Sequence, residues 1–158
     1  MKLVVGVGDM KVSSSPQDEL VTHALGSCIG VAAIDPEQHV AGLLHFMLPL
    51  SSSSPERAKQ NPYMFADTGI PVLLKELFKR GCTKKSLQIK VAGGAQILDD
   101  SGFFQIGKRN IVVMRKFFWK NQIMISGENL GGTIARTMHI QIGDGRTWIT
   151  VNKKELEL

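Results

Sequence analysis

A turn at residues 35–38, which read DPEQ, most constrains how this chain can fold, because an apolar run lies on each side of it. Residues 29–34 and 40–47 are predicted to form two antiparallel strands joined by that turn. If the first and last residues of the turn pair with each other, the same register places Cys28 opposite His45. Directly opposed residues on one face of an antiparallel pair have Cβ atoms about 4.5 to 5.5 Å apart. The hairpin alone therefore predicts a thiol and an imidazole side by side.

A cysteine beside a histidine is the pair that cysteine hydrolases use. The thiolate is the nucleophile and a free thiol is only partly ionised at neutral pH, so His45 would raise the reactive fraction by accepting the Cys28 proton. The protonated imidazole could then protonate a leaving amine. Thr22, on the extended segment before a turn at Gly26, is the nearest polar side chain that could fix the tautomer of the histidine, with backbone groups as competitors. The backbone N–H groups of Ser27 and Cys28 are the candidate donors to an oxyanion.

Two other interpretations of these side chains stay open. A free cysteine is often a small buried apolar residue, and a strand histidine often has a purely structural role, so Cys28 and His45 could both belong to the core. A metal site could combine them with Cys82 or His39, but the chain has neither a CxxC nor an HxxxH motif. We therefore expect no metal and no cofactor.

The composition is typical of one globular domain. The chain has 158 residues, of which 43% are hydrophobic and 21% charged, so we expect one core and a single domain over residues 1–158. It has no apolar stretch of the roughly 18 residues that a membrane span needs, and the N-terminal sequence MKLVVGVGDM lacks the features of a signal peptide. The predicted location is the cytoplasm, where Cys28 and Cys82 would remain free thiols.

The positive charge of the chain permits an acidic partner. The formal net charge is +5. The basic residues, however, fall at spacings typical of solvated helix faces, and the aromatic interleaving and motifs of nucleic-acid-binding proteins are absent. We therefore expect no binding to nucleic acid.

Two segments carry the periodicity of amphipathic helices. In residues 61–81 apolar side chains recur at i, i+3, i+4, i+7 and i+8, and residues 108–121 repeat the pattern with basic residues on the outer face. Pro71 fits the first helix if Asp67 or Thr68 is the N-cap, because the first N–H groups of a helix have no partner to lose. A start at residue 61 would instead require a kink at Pro71.

Short apolar and β-branched runs predict strands in residues 3–7, 20–24, 86–92, 122–126, 137–142 and 146–151. Strands outnumber helices and several are adjacent in sequence, so the sheet is mixed or there are two sheets. The polar segment 51–55 is predicted to be a loop that could recognise a substrate. The predicted fold class is an α/β (α+β) sandwich with mixed β-sheets and two main helices.

Several motifs, taken together, resemble one family. Residues 22–28 (THALGSC) and 45–49 (HFMLP) look like the hallmark of the chemotaxis receptor glutamine deamidases known as CheD. The likeness continues, in chain order, through FADT at 65–68, AGGA at 92–95, IGKRN at 106–110 and the pair Gly131-Gly132 with Arg136. It extends over residues 6–151, which is nearly the whole chain.

The resemblance implies a protein-glutamine glutaminase in which Cys28 is the nucleophile, His45 the general base and acid, and Thr22 the residue that orients His45. Such enzymes hydrolyse selected glutamine side-chain amides of methyl-accepting chemotaxis receptors to glutamate and release ammonia, so the protein would meet the membrane only through receptors. The family's fold is similar to the catalytic domain of the cytotoxic necrotizing factor toxins, and its members also bind the phosphatase CheC. A competing hypothesis is a non-catalytic binding module that regulates a CheC-type phosphatase. The intact Cys28, His45 and Thr22 favour the enzyme.

Other positions within the motifs have several candidate roles. Asp67 is predicted to be an N-cap rather than a catalytic acid. Arg136 is predicted to contact a receptor or to pair with Glu128 or another carboxylate. Asn129 stands where the resemblance leads us to expect an acidic residue, and His23 is a second titratable group beside the histidine-orienting threonine. Three residues are candidates for binding a substrate or partner: Gly26, Asp67 and Arg136.

Overall fold

The computed structural model describes residues 1–97 and 105–158, which form two β-sheets with helices on one side. The first sheet contains, in spatial order, β1 (Lys2–Val4), β3 (Glu19–Leu25), β8 (Arg136–Gln141), β9 (Thr147–Val151) and β10 (Lys154–Glu157). The second contains β2 (Asp9–Ser13), β5 (Val40–Phe46), β4 (Ile29–Asp35), β6 (Gln88–Gly93) and β7 (Ile125–Leu130). The α-helices of the described ranges are α1 (Pro55–Gln60), α2 (Ala66–Lys79) and α3 (Ile106–Lys120), and short 3-10 helices span Ser51–Ser53 and Pro62–Met64.

Both sheets are mixed. β1 pairs with β3, and β6 with β7, in parallel, whereas the other pairings among the described strands are antiparallel. The predicted combination of helices with mixed sheets is confirmed, and of the two arrangements left open the protein has two sheets. α2 and α3 are the two predicted main helices, and the six-residue α1 is an addition that the sequence analysis missed.

The second sheet is the middle layer, because its central strands are buried on both faces. All residues of β4 and β5 are buried. Val31 and Ala33 of β4 pack with the helices, and Ala32 and Ile34 pack with the first sheet. This alternation follows from the two-residue side-chain period of a strand. The order of layers is therefore helices, second sheet, first sheet, and the candidate site lies where the two sheets face each other.

The central hairpin forms as predicted, but its register differs by two residues. Asp35 pairs with Val40, so four residues rather than two form the turn, and His45 faces Gly30 instead of Cys28. The Asp35 carboxylate accepts hydrogen bonds from the backbone N–H groups of the second and third turn residues, both at 3.1 Å, which stabilises the longer turn. A two-residue shift leaves every side chain on its predicted face. Cys28, just before β4, is therefore a diagonal rather than a direct neighbour of His45.

The first residues of α2 differ from the prediction. The helix begins at Ala66 with Phe65 as the N-cap residue, and neither Asp67 nor Thr68 caps it. Asp67 instead accepts hydrogen bonds from the backbone N–H and the hydroxyl of Ser51, at 2.9 and 2.8 Å. Pro71 thus lies inside the helix, where its ring removes one backbone hydrogen bond.

Some elements escaped the sequence analysis. β2 and β10 were not predicted, and segment 51–55, predicted to be a loop, contains a 3-10 helix and the first residue of α1. β7 begins three residues later than the strand predicted at 122–126. No helix within the described ranges is both long and apolar enough to cross a membrane.

Candidate active site

His45 lies between the two sheets, on the face of β5 that points toward β3. It is 1% exposed. Its cross-strand neighbour Gly30 makes this position accessible to β3, because a Cβ on Gly30 would lie 3.0 Å from the Met138 sulfur and 3.1 Å from Leu25 Cδ1. The glycine therefore leaves the space through which the side chain of Thr22, on β3, reaches the histidine.

Thr22 fixes the tautomer of His45 through a chain of two hydrogen bonds. Thr22 Oγ1 lies 2.7 Å from the carbonyl oxygen of Val5 and 2.7 Å from His45 Nδ1. A hydroxyl has one proton to donate, and a carbonyl oxygen can only accept. The hydroxyl therefore donates to Val5 and accepts from Nδ1–H, which leaves the lone pair of the neutral imidazole on Nε2.

The second ring nitrogen of His45 has no partner of its own. Nε2 is buried and has no hydrogen-bond partner among the described residues. Burial lowers the pKa of His45 to about 4, because the charged imidazolium loses its hydration there. At neutral pH the ring is therefore neutral, with a free acceptor at Nε2.

Cys28 lies at the edge of the same layer and is partly exposed. It packs against the core between the sheets, so it shares a face with His45. Residues diagonal to each other across an antiparallel pair are about 7 to 8 Å apart at Cα and closer at Cβ. No hydrogen bond between the Cys28 thiol and His45 is present among the described residues. Burial raises the pKa of the Cys28 thiol, and its own backbone N–H, which points at the sulfur, partly opposes that shift.

The turn that carries Cys28 is held through its backbone carbonyl groups. The carbonyl oxygens of Gly26 and Cys28 accept from the backbone N–H groups of Ala95 and Gly94, at 2.7 and 2.9 Å. Gly26, where the sequence predicts a turn that a β-carbon would resist, does not have a positive φ. Instead a β-bulge precedes it, with Ala24 at φ +57°, and the missing side chain makes room for Ile97.

Asn110 on α3 holds the remaining carbonyl group of this turn. Its Nδ2 donates to the backbone oxygens of Ser27 and Met47, each at 2.9 Å. In the sequence, Asn110 is recognisable only as part of the IGKRN motif, which assigns it no role. Its position could have indicated a role, because Asn110 is a polar residue on the same buried face of the helix as Met114 and Phe118.

Arg136 is buried inside the protein. It is 6% exposed and its guanidinium donates to the backbone oxygens of Asn129, Gly131 and Ile134 and to Asn129 Oδ1. The suggested pairing with Glu128 is wrong, because Glu128 pairs with Arg115 at 2.7 Å. A role for Arg136, Asp67 or Gly26 in binding a partner stays a prediction.

Metal ligands do not cluster in the described part of the chain. No group of three or more His, Cys, Asp or Glu residues there has the geometry to hold an ion. Cys82, the second thiol, is buried, and burial with the neighbouring Asp35 carboxylate raises its pKa to about 11. Cys82 belongs to the core between the helices and the second sheet, whereas Cys28 packs against the core between the two sheets.

The comparisons with known proteins agree with the motifs. The family model described as "CheD chemotactic sensory transduction" matches residues 47–151. A protein of Solibacter usitatus (strain Ellin6076) named "Probable chemoreceptor glutamine deamidase CheD" is 46% identical over 157 residues, which cover 99% of this chain and 93% of that protein. A protein of Syntrophus aciditrophicus (strain SB) named "Probable chemoreceptor glutamine deamidase CheD 1" is 51% identical over 147 residues, 93% of this chain and 92% of its own.

A third relative extends the same result. The protein of Anaeromyxobacter dehalogenans (strain 2CP-C) named "Probable chemoreceptor glutamine deamidase CheD 2" is 45% identical over 150 residues, 94% of each chain. Identity at this level over nearly the whole length, together with the match to the family model, leads to one conclusion. The chain belongs to the CheD family.

Proposed function

We propose that this protein hydrolyses the side-chain amides of selected glutamines in methyl-accepting chemotaxis receptors, giving glutamate and ammonia. The observation that carries the proposal is the orientation of His45. Thr22 holds its Nδ1, and the unpartnered Nε2 lies in the layer that also contains Cys28. The relatives that match almost the full chain are named for this activity.

The first half of the reaction forms a thioester. Cys28 Sγ attacks the glutamine δ-carbonyl while His45 Nε2 takes the thiol proton, and the carbonyl oxygen becomes an oxyanion that accepts from the N–H groups of Ser27 and Cys28. Neither amide donates to a carbonyl of the described residues. The C–N bond then breaks as the imidazolium gives its proton to the departing nitrogen, which leaves as ammonia.

The second half regenerates the thiol. A water molecule attacks the thioester, His45 Nε2 accepts one of its protons, and the C–S bond breaks. The proton on His45 returns to the sulfur, and the new carboxylic acid releases the second water proton to solvent, so that the substrate carries a carboxylate in place of its amide. Because one imidazole acts as base and acid in turn, its fixed tautomer serves both halves.

The electrostatics favour a neutral pair in the resting site. Burial raises the pKa of Cys28 and lowers that of His45 to about 4, so a thiolate–imidazolium pair is not the resting form. Proton transfer therefore accompanies attack on the substrate. The acidic imidazolium formed at that moment is an effective donor to the leaving nitrogen.

The remaining parts of the proposal concern the molecule's surroundings. The whole chain, residues 1–158, acts as one domain in the cytoplasm, with a fold similar to the catalytic domain of cytotoxic necrotizing factor toxins. Segment 51–55, which Asp67 holds through Ser51, recognises the receptor helix. A CheC-type phosphatase is a second partner.

Mass spectrometry of receptor fragments tests the activity directly. Each deamidation adds about 1 Da, and Cys28→Ala removes the nucleophile, so incubation with the wild type but not with this variant should raise the mass. Cys82→Ala is the matched control and should leave the mass gain intact, because Cys82 is a core residue. Equal masses with the wild type and Cys28→Ala, while both activate a CheC-type phosphatase, would support the binding module instead.

A further inference from the structure

Among the residues that the structure describes, Asn110 is the one side chain whose hydrogen bonds join the segment of the candidate nucleophile to that of the candidate base. It is 0% exposed and lies on the inner face of α3. Its Nδ2 donates to the carbonyl of Ser27, the residue before Cys28, and to that of Met47, two residues after His45. Both bonds are 2.9 Å long.

The orientation of the Asn110 amide is determined by its partners. Both contacts are to carbonyl oxygens, which accept only, so the NH2 group must face them. The Oδ1 atom consequently points elsewhere and has no hydrogen-bond partner among the described residues. A buried amide that uses both of its protons on two carbonyls and leaves its oxygen unsatisfied is specialised for donation.

The first of these bonds acts on an amide proposed for catalysis. The carbonyl of Ser27 and the N–H of Cys28 belong to the same planar trans peptide group, so they point in opposite directions. A donor that holds the carbonyl therefore sets the direction of the N–H. That N–H belongs to the residue whose sulfur attacks, and the backbone N–H of the nucleophilic residue is a recurrent oxyanion donor.

The neighbouring peptide groups are held in the same way. Ala95 N–H bonds to the Gly26 carbonyl and Gly94 N–H to the Cys28 carbonyl. Three successive carbonyls, those of residues 26 to 28, are thus bound to protein donors. Only the middle one depends on a side chain, so only this one can be altered by substitution without changing the backbone.

We propose that Asn110 is a positioning residue that aims the backbone N–H of Cys28 at the oxyanion formed when the thiol attacks a carbonyl. This inference rests on the proposed function for the identity of the substrate. The attack of Cys28 on a carbonyl can be tested without that substrate. Removal of a preorganised donor to an oxyanion lowers kcat by about 100- to 1000-fold. Loss of its alignment is expected to lower kcat by about 10- to 100-fold, with KM nearly unchanged.

Two reactions of Cys28 separate this role from a general effect on the fold. Acylation by p-nitrophenyl acetate passes through a tetrahedral oxyanion, and release of p-nitrophenol in a burst measures its rate. Alkylation by iodoacetamide displaces iodide from a saturated carbon, and no oxyanion forms. Asn110→Asp keeps the shape of the side chain and removes both amide N–H donors, leaving at most one O–H when the buried carboxyl is protonated. It should slow acylation about 10- to 100-fold and change alkylation by less than about twofold.

The control variant lies at the C-terminal end of the same helix. Asn121, which follows α3, also donates from Nδ2 to a carbonyl, that of Phe117, at 2.8 Å. Asn121→Asp should leave both reactions of Cys28 unchanged. Asn110→Ala removes the same donors without adding charge and should reproduce the effect of Asn110→Asp. Cys28→Ala supplies the background rate of each reagent.

Several outcomes would overturn the proposal. One is an unchanged acylation rate in both Asn110 variants, and another is a parallel loss of acylation and alkylation. A loss of folding in both variants would also overturn it, because Asn110 would then serve stability alone. Because neither reagent involves a receptor, failure of the proposed function looks different. In that case the wild type would acylate at Cys28, with a rate that depends on Asn110, and would leave receptor glutamines unchanged.

Discussion

A single hydroxyl proton determines which nitrogen of His45 can act as a base. Thr22 Oγ1 donates that proton to the carbonyl of Val5, so the same oxygen can only accept from His45 Nδ1. Val5 thus belongs to the proposed machinery, although it offers only a backbone atom to it. Sequence analysis selected Thr22 as the orienting residue, but it could not identify the carbonyl that directs the hydroxyl.

Thr22→Val should damage both the stability and the proposed activity. The substitution preserves shape but leaves the Val5 carbonyl and His45 Nδ1 buried without partners, at a cost of about 1 to 3 kcal/mol in the free energy of unfolding. General acid–base catalysis contributes about 100- to 10,000-fold, and loss of the correct tautomer should remove about 10- to 100-fold of kcat. Urea unfolding and receptor deamidation measure the two effects. Thr22→Ser, which keeps the hydroxyl, should retain most of both, and equal losses in the two variants would contradict this account.

The pH dependence of stability should contain a contribution from His45. Its pKa is about 4 in the folded protein and about 6.5 in the unfolded chain, where it has its ordinary value. Between these pH values the unfolded chain binds a proton that the folded protein does not, so the free energy of unfolding falls as the pH falls from about 6.5 toward about 4. Above about pH 6.5 the contribution vanishes.

His45→Asn should therefore flatten the stability profile. Between pH 7 and pH 5 the wild type should lose about 2 kcal/mol more than the variant, since each pH unit within the window corresponds to about 1.4 kcal/mol. Urea unfolding at the two pH values measures the difference. Other groups titrate equally in both proteins, so identical losses would show that His45 is not buried as a neutral ring.

At the scale of elements, the hairpin shows what a local pattern can predict. The face shared by Cys28 and His45 follows from the two-residue period of strand side chains, and the structure places both toward the first sheet. The register was not predictable from the turn residues alone. It depends on hydrogen bonds from the turn backbone to the Asp35 carboxylate, which favour a four-residue turn.

The end of β6 positions the nucleophile turn through a glycine. Gly93 has φ +115°, and a Cβ on it would collide with the carbonyl oxygen of Cys28 and lie 3.2 Å from Ile29 Cα. These neighbours are backbone atoms, which leave little freedom to relax. The AGGA motif at 92–95 therefore has a steric explanation in the close approach of β6 to the cysteine.

Gly93→Ala should displace the nucleophile turn, whereas Gly131→Ala should not. Both glycines have positive φ, but a Cβ on Gly131 would meet no atom within 4 Å. Gly131→Ala should cost only the backbone strain, about 1 to 2 kcal/mol. Gly93→Ala should lower the free energy of unfolding by more than that. It should also slow receptor deamidation or the alkylation of Cys28 by iodoacetamide at least about tenfold, since displacing a catalytic group by 1 Å lowers the rate up to about 100-fold. Equal behaviour of the two variants would contradict the steric role of Gly93.

At the scale of the molecule, contacts between distant parts of the chain complete the site. Thr22 and His45 meet only because two different sheets face each other, and Asn110 reaches Ser27 from a helix 83 residues away in sequence. A hydrophobic pattern predicts which residues are inward but not which inward residues meet. For this reason the sequence indicated Thr22, Cys28 and His45, while the role of Asn110 became visible only in the folded protein.

Arg136 joins the two sheets through hydrogen bonds to residues that are close to it in sequence. It begins β8 in the first sheet, and its guanidinium is surrounded by oxygens from the end of β7 in the second sheet and the residues that follow. Within the described residues these acceptors are backbone carbonyls and one amide, Asn129 Oδ1 at 2.6 Å. Burial lowers the pKa of Arg136, because the charged guanidinium loses its hydration there.

Asn129→Asp should therefore stabilise the protein. The introduced carboxylate would replace a neutral acceptor already in contact with the Arg136 guanidinium and would form an ion pair, which at a partly exposed site contributes up to about 1 kcal/mol. Residue 129 is only half-buried, so the cost of desolvating the new charge is small. Urea unfolding at pH 7 should show the gain.

The pH dependence of that gain provides the control. The guanidinium would lower the pKa of the new carboxyl in the folded protein, so the added stability is present above the ordinary aspartate pKa of about 3.9 and disappears as the pH falls through the lowered value. Wild type and variant should therefore differ at pH 7 and converge near pH 2. If the Asn129→Asp protein is no more stable than the wild type at pH 7, the backbone carbonyls around the Arg136 guanidinium already compensate its charge.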